Sequence, residues 1–213
     1  MKLFLIRHGE TYLNKYGRMQ GWADTPLTDK GRQSARRCGE YLASRGITHV
    51  LSSDLGRTIE TSKIINECLA TTQEVVLMPE FRETFFGSYE GELNRNVWPE
   101  IAKKQGFDSL QDFYTQLPIN EVMDAFHTSD PTSDAEDYQT FITRITQGLK
   151  KISEMFVEEE QVVLVTHGNT IRNIAYLIDP TIDCSEELIN SGVTTIEMVG
   201  EQQRLVSYNV AAE

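Results

Sequence analysis

Cysteine is scarce in this chain of 213 residues: Cys38, Cys68 and Cys184 form an odd, scattered set with no CxxC pair. That pattern excludes a paired-cysteine zinc or redox centre and fits free thiols in a reducing cytosol. Long apolar runs are missing as well. Stretches such as Leu3–Ile6 and Val162–Val165 fall far short of a membrane span. One lysine and a short apolar stretch precede Arg7, which does not read as a signal peptide. Basic residues are outnumbered, 20 Lys and Arg against 32 Asp and Glu, for a formal net charge of −12. Such a balance argues against a general nucleic-acid or membrane-surface binder. The charge is uneven, +5 over residues 1–63 and −17 over residues 64–213. Solvated helix faces account for that asymmetry, and so does a local cationic site for an anionic substrate.

What is present fits a globular chain, with 39% hydrophobic and 24% charged residues. We read residues 1–213 as a single domain. Lys2–Arg7 reads as a buried strand running into a glycine turn. Thr28 caps a helix with Ala35, Cys38, Leu42 and Ala43 on its inner face, ended by Gly46. Thr48–Leu51 is a second strand, Ser52–Ser53–Asp54 caps a helix to about Leu69, and Glu74–Met78 is a third strand. Asp137–Val157 is an amphipathic helix, Gln161–Thr166 a buried strand, Asn169–Leu177 a helix, and Gly192–Val199 with Arg204–Val210 a closing hairpin. Strands alternating with helices predict an α/β fold with a mostly parallel sheet covered on both faces. Residues 88–136 break the alternation. They are polar, hold Pro99, Pro118 and Pro131, and read as a mainly helical insertion rather than a long loop.

Four strand ends carry groups suited to chemistry. Arg7-His8-Gly9 ends the first strand, and Thr166-His167-Gly168-Asn169 ends a later one. Ligands of open α/β sheets bind at the carboxyl ends of strands. Two histidines delivered there can converge on one pocket. Ser52-Ser53-Asp54 is followed by Arg57, either an exposed helix arginine or part of a phosphate bracket, since Arg donates paired hydrogen bonds to phosphate. Glu83 sits among Phe85, Phe86 and Tyr89. Desolvation there raises a carboxyl pKa and suits a general acid, while nearby arginines oppose it, so the net direction stays open. No HExxH or other clustered ligand motif points to a metal or other cofactor. No GxGxxG or GxxxxGK[ST] supports a nucleotide fold. Two histidines, two arginines and one acid suit metal-free phosphoryl transfer through an imidazole.

These motifs together resemble the histidine phosphatase superfamily, the phosphoglycerate mutase-like proteins. Arg7-His8-Gly9 with Glu10, Thr11 and Asn14 is similar to its signature. The likeness runs on through Gln20-Gly21, Asp24-Thr25-Pro26-Leu27-Thr28, Gly31, Ser52-Ser53-Asp54, Arg57, Glu83, Phe86-Gly87, Tyr89-Glu90-Gly91 and Thr166-His167-Gly168. The resemblance implies a three-layer α/β/α sandwich with residues from about 88 to 136 as a cap over the pocket. It implies that His8 is phosphorylated, that Arg7, Arg57 and His167 hold the phosphoryl group, and that Glu83 donates the proton. It places Asn14, Gln20, Gly21, Gly168 and Asn169 along the substrate pocket. Where many phosphatase members carry Gly-Glu-Ser, this chain has Ala135-Glu136-Asp137, which leaves open whether Glu136 or Asp137 meets substrate. His49 reads as structural. His127, in the cap beside Phe126, is either structural or within reach of substrate. Trp22 and Trp98 read as packing or pocket-wall residues.

The expected function is a metal-independent phosphomonoesterase acting on a small phosphorylated metabolite, in the cytoplasm, with no nucleic acid or membrane as partner. A homo-oligomer is left open. A cofactor-dependent phosphoglycerate mutase is the alternative within enzymes. Against it stand an insertion with Arg95, Lys103 and Lys104 but no adjacent arginines, and only Ala211, Ala212 and Glu213 after the last strand. A catalytically silent binding or regulatory member would be expected to lack Arg7, His8 or Arg57, all of which are present.

Overall fold

Strand β1 (Lys2–Arg7) is buried from Leu3 onward, and its alternate residues serve two different cores. Leu3 and Leu5 pack with Leu164, Phe141, Ile145, Ile152, Ile171 and Ile174. Phe4 and Ile6 pack with Cys38, Leu42, Val50, Ile65, Val163 and Val165. A sheet apolar on both faces must be covered on both, and that makes the fold three-layered. In this computed structural model, which describes residues 1–183, 187–200 and 202–212, six strands run in the order β3-β2-β4-β1-β5-β6. They are β2 (His49–Ser52), β3 (Val75–Leu77), β4 (Gln161–Thr166), β5 (Val193–Val199) and β6 (Gln202–Val210) around β1. β1, β2, β3 and β4 are mutually parallel, β5 is antiparallel to β1, and β6 is antiparallel to β5. Cys184 and Glu213 lie outside the described residues. Among the described residues no helix is long and apolar enough to cross a membrane.

The helices follow from their apolar spacing and caps. In α2 (Asp29–Leu42), Ala35, Cys38 and Leu42 face the sheet, and the Thr28 hydroxyl accepts from Gly31 N at 3.0 Å. α3 (Gly56–Glu67) lies beside it. On the other face lie α7 (Tyr138–Met155), capped by Asp137, and α8 (Gly168–Ile178). The insertion is helical: α4 (Asn94–Lys104), α5 (Leu110–Gln116) and α6 (Ile119–Ser129). Val97, Ile101, Phe113, Ala125 and Phe126 from these helices pack with Met19, Phe86 and Tyr89 in a separate apolar cluster.

Two local expectations are corrected. Ser52–Ser53–Asp54 does not cap α3. The helix starts at Gly56 behind Leu55, which makes no side-chain cap, and the Ser53 and Asp54 side chains are engaged elsewhere. A one-turn helix, α1 (Tyr12–Lys15), follows the Arg-His-Gly turn where none was expected. It forms because Thr11 and Asn14 cap each other reciprocally, Asn14 N to Thr11 Oγ1 and Thr11 N to Asn14 Oδ1.

Candidate active site

Parallel register brings the carboxyl ends of β1, β4 and β2 level, with Arg7 opposite Thr166 and Ser52 opposite Val165. The residue after each strand end therefore enters one neighbourhood. His8 and His167 lie with ring centroids 5.4 Å apart at an interplanar angle of 61°. Both are buried.

The protonation state of each ring can be read from its partners. His8 Nδ1 lies 2.8 Å from Gly9 O, an oxygen that only accepts, so Nδ1 carries the proton and Nε2 keeps its lone pair. Arg57 Nη2 donates to His167 Nδ1 at 2.9 Å, which leaves His167 Nε2–H to donate to Ser53 Oγ at 2.7 Å. Ser53 in turn bonds Thr58 Oγ1 at 2.8 Å. Burial is the main cause holding both imidazoles well below the usual histidine range, followed by the positive charge of Arg57. Both rings are neutral near pH 7.

Arg57 is 0% exposed, contrary to the ordinary fate of a helix arginine. Its Nη1 donates to Ala23 O and Asp24 Oδ1, and its Nη2 to Gly21 O as well as to His167. Arg7 Nη1 donates to Glu187 Oε1 at 3.1 Å and to Leu188 O. The Nε atoms of Arg7 and Arg57 are buried with no hydrogen-bond partner among the described residues. Two buried, unserved guanidinium N–H groups beside two imidazoles form a site suited to an anion.

Glu83 is only 6% exposed. Its Oε1 accepts from Thr84 N and its Oε2 from Asn169 N, each at 3.0 Å. Desolvation outweighs these bonds and the charges of Arg57 and Arg7, so its carboxyl is raised above the usual carboxylate range. That resolves the direction the sequence left open. The surrounding aromatics are only partly as expected. Phe85 packs against Trp22 with the rings tilted at 39°, and Tyr89 meets Phe126 edge-on among the cap helices.

A cavity of about 750 Å³ opens over Arg7, Glu83, Gly168 and Asn169, and Asn14 and Gln20 also line it. Gly168 is in close quarters: a Cβ there would stand 3.7 Å from Arg7 Nε and 3.8 Å from Glu83 Oε2. Gly21 does not line this cavity. Its carbonyl serves Arg57, and a side chain on it would come within 2.2 Å of Glu90 Oε1. His8, Arg57 and His167 do not line it either. His127 binds Ala135 O, Asp137 caps α7, and Glu136 pairs with Arg144, so these three have structural tasks. His49 pairs with Glu160.

Three positioning residues were not foreseen. Ser53 holds the His167 tautomer. Glu90 gathers the N–H groups of Gly21, Trp22, Ala23 and Phe86 and so shapes the loop behind Arg57. Arg144 donates to the carbonyls of Glu80, Arg82 and Glu83 and to both oxygens of Glu136, which fixes the segment carrying Glu83. A signal for Arg144 existed: it interrupts the stripe of Phe141, Ile145, Gly148 and Leu149 on the buried face of α7.

Comparison with known proteins agrees with this geometry. The profile of the histidine phosphatase superfamily (branch 1) matches residues 3–211. A probable phosphoglycerate mutase GpmB from Enterobacter sp. (strain 638) is 32% identical over 171 residues, 79% of this chain and 70% of that protein. Phosphoglycerate mutase-like protein 4 of Arabidopsis thaliana is 30% identical over 200 residues, 92% of this chain and 79% of that one. The crystal structure of a phosphoglycerate mutase from Bacillus anthracis superposes with a TM-score of 0.94 at 32% identity, covering 100% of this chain and 94% of that one. An alpha-ribazole phosphatase from Shigella flexneri superposes at 0.74 with 25% identity, covering 99% and 97%. With a family profile spanning nearly its whole length, the chain belongs to the histidine phosphatase superfamily, branch 1.

Proposed function

We propose that this protein is a metal-independent phosphomonoesterase that passes the phosphoryl group of a small phosphorylated metabolite through His8 to water. The observation that carries the reading is the opposed tuning of two buried groups. His8 is held neutral with its Nδ1 proton on Gly9 O, and Glu83 is biased toward its protonated form. A nucleophile must be unprotonated and a general acid protonated at the same pH, and this site favours both.

On this reading His8 Nε2 attacks phosphorus as the P–O bond to the alcohol breaks, and Glu83 gives its proton to the leaving oxygen. Arg7 and Arg57 neutralise the equatorial oxygens, and neutral His167 adds a hydrogen bond to one of them when its Nε2–H turns from Ser53. Water then attacks the phosphohistidine, Glu83 takes the proton back, and inorganic phosphate leaves. The neutral substrate-free His8 is restored. Unpaired Cys38 and Cys68 fit work in a reducing cytoplasm, and burial pushes the Cys38 thiol up to about 12, where it stays inert.

The second reading, a phosphoglycerate mutase, is favoured by the names of the Enterobacter and Bacillus anthracis relatives. Against it, the insertion holds Arg95, Lys103 and Lys104 with no adjacent arginine pair to grip a second phosphoglycerate, and Lys104 is paired with Glu100 at 2.8 Å. The experiment is a product assay with a trapping arm. Free phosphate should accumulate from p-nitrophenyl phosphate and alkyl monoesters. Interconversion of 3- and 2-phosphoglycerate should stay negligible even with 2,3-bisphosphoglycerate. Labelled substrate should leave an acid-labile, base-stable phosphoprotein in the wild type and none in His8→Ala, which should also be inactive. Efficient interconversion without phosphate release would establish the mutase instead, and wild-type activity in His8→Ala would remove His8 from the mechanism.

A further inference from the structure

The cavity over Arg7 and Glu83 is far larger than a phosphoryl group needs. At about 750 Å³ it falls in the range of pockets that enclose drug-sized ligands. Its walls are mixed, with Arg18, Asn94, Gln111, Thr115 and Arg172 among the polar residues, but one patch is apolar: Phe86, Trp98, Tyr114, Val122, Met123 and Phe126. These are not scattered. Trp98 meets Phe126 edge-on at 4.5 Å and Tyr114 at 5.3 Å, and Phe86 lies 5.0 Å from Phe126, so one aromatic cluster forms a wall.

The cap is also acidic overall. Residues 88–136, which supply most of that wall, hold ten acidic and three basic residues. The two cavity-lining arginines beyond Arg7 already have protein partners: Arg18 donates to Gly91 O at 2.7 Å and Arg172 to Asn169 Oδ1 at 2.8 Å. None of the ten acidic residues lines the cavity, so their repulsion of a polyanionic acid acts only at longer range. Set into the apolar wall is Asn173, only 1% exposed, whose amide nitrogen is served by Asn169 O and Met123 Sδ while its oxygen has no partner among the described residues. Asn173 is one of the residues lining the cavity, and a buried amide oxygen left unserved there is costly unless a ligand or water meets it.

We infer that the alcohol half of the substrate is a ring-bearing, largely apolar group rather than a small carboxylate, seated against Trp98, Phe86 and Tyr114 while its phosphate lies at Arg7. The inference deepens the phosphomonoesterase reading and rests on it. Aromatic faces bind flat apolar rings through burial and offset or edge contacts, which a small hydrophilic acid cannot supply.

The test separates binding from turnover. Methylphosphonate, 2-naphthylmethylphosphonate and 3-phosphonopropanoate keep a phosphonate head but cannot be hydrolysed, so calorimetric binding to the full chain reports the cavity whether or not the chain is a phosphatase. The naphthyl compound should bind about tenfold or more tighter than methylphosphonate. Trp98→Leu, which keeps an apolar side chain against Phe126, should shrink that ratio about threefold or more. Equal binding of the naphthyl and methyl compounds, or tightest binding of the carboxylate compound, overturns the inference. An unchanged ratio in Trp98→Leu removes the aromatic wall from it. In parallel, 2-naphthylmethyl phosphate should be hydrolysed with higher kcat/KM than ethyl phosphate. Absence of phosphate release from every ester, with the binding order intact, overturns the phosphatase reading alone.

Discussion

Replacing Glu83 by Gln tests both the proton donor and the tuning of the site. Groups with ordinary values of roughly 6.5 for histidine and 4.3 for glutamate would be neutral and protonated together in only about 0.5% of molecules, even midway between the two. The fold works against that loss from both sides. Burial and Arg57 lower His8, and burial raises Glu83 despite the bonds from Asn169 N and Thr84 N. The wild-type profile of kcat/KM for alkyl phosphates should therefore fall on the acid side below the usual histidine range, as His8 protonates. It should fall on the alkaline side above the usual carboxylate range, as Glu83 ionises. In Glu83→Gln the alkaline limb should vanish, because an amide does not titrate. Alkyl phosphates should slow by roughly 10²–10⁴-fold, and aryl phosphates, whose leaving groups need little protonation, by much less. The amide offers one acceptor to two N–H donors that now share a carboxylate, so the variant should lose about 1–3 kcal/mol of stability. Denaturation curves should therefore precede the kinetics. Equal losses on alkyl and aryl esters, or an alkaline limb unmoved in the variant, would refute the assignment.

Arg144→Met leaves the Glu136 carboxylate, only 8% exposed, without its partner and releases the carbonyls of Glu80, Arg82 and Glu83. Chemical denaturation should show a loss of about 3–5 kcal/mol, and a wild-type unfolding curve would contradict the role given to Arg144. Asp130 is pushed up by burial but held well below the usual carboxylate range overall by hydrogen bonds from Ser88, Ala135 and Thr132. Its folded value lies below its unfolded one, so its contribution to stability is full above about pH 4 and is lost as the pH falls further. Asp130→Asn should be less stable than wild type at pH 7 and should flatten the acid limb of a Tm-against-pH plot; an unchanged limb would count against it. EDTA should leave activity intact, because in the proposed mechanism Arg7 and Arg57 supply the charge that neutralises the phosphoryl oxygens, whereas orthovanadate should inhibit through its five-coordinate likeness to the in-line transition state. Loss of activity in EDTA restored by a divalent cation would contradict this.

The fold was legible wherever one residue decides one element. The run Leu3–Ile6 could only be a strand buried on both faces, and Thr28 could only begin a helix that turns Ala35, Cys38 and Leu42 inward. The strand-end histidines were legible for the same reason, since register alone brings them together. What escaped were side chains whose role depends on distant partners. Ser53 looks like a helix cap from its neighbours, yet its hydroxyl bonds His167, 114 residues on, and Thr58, and α3 starts at Gly56 behind an uncapped Leu55. Arg144 lies 61 residues from the Glu83 carbonyl it holds, and Glu90 lies 69 from the Gly21 amide. The pKa of Glu83 was undecidable for a related reason. Sequence neighbours such as Phe85 and Tyr89 turn away to Trp22 and Phe126, and the burial that raises the carboxyl arises where the segment after β3 meets the start of α8. Local sequence shows which groups a strand end can deliver. Their protonation states are set by the surfaces that close over them, and those surfaces come from elements far along the chain.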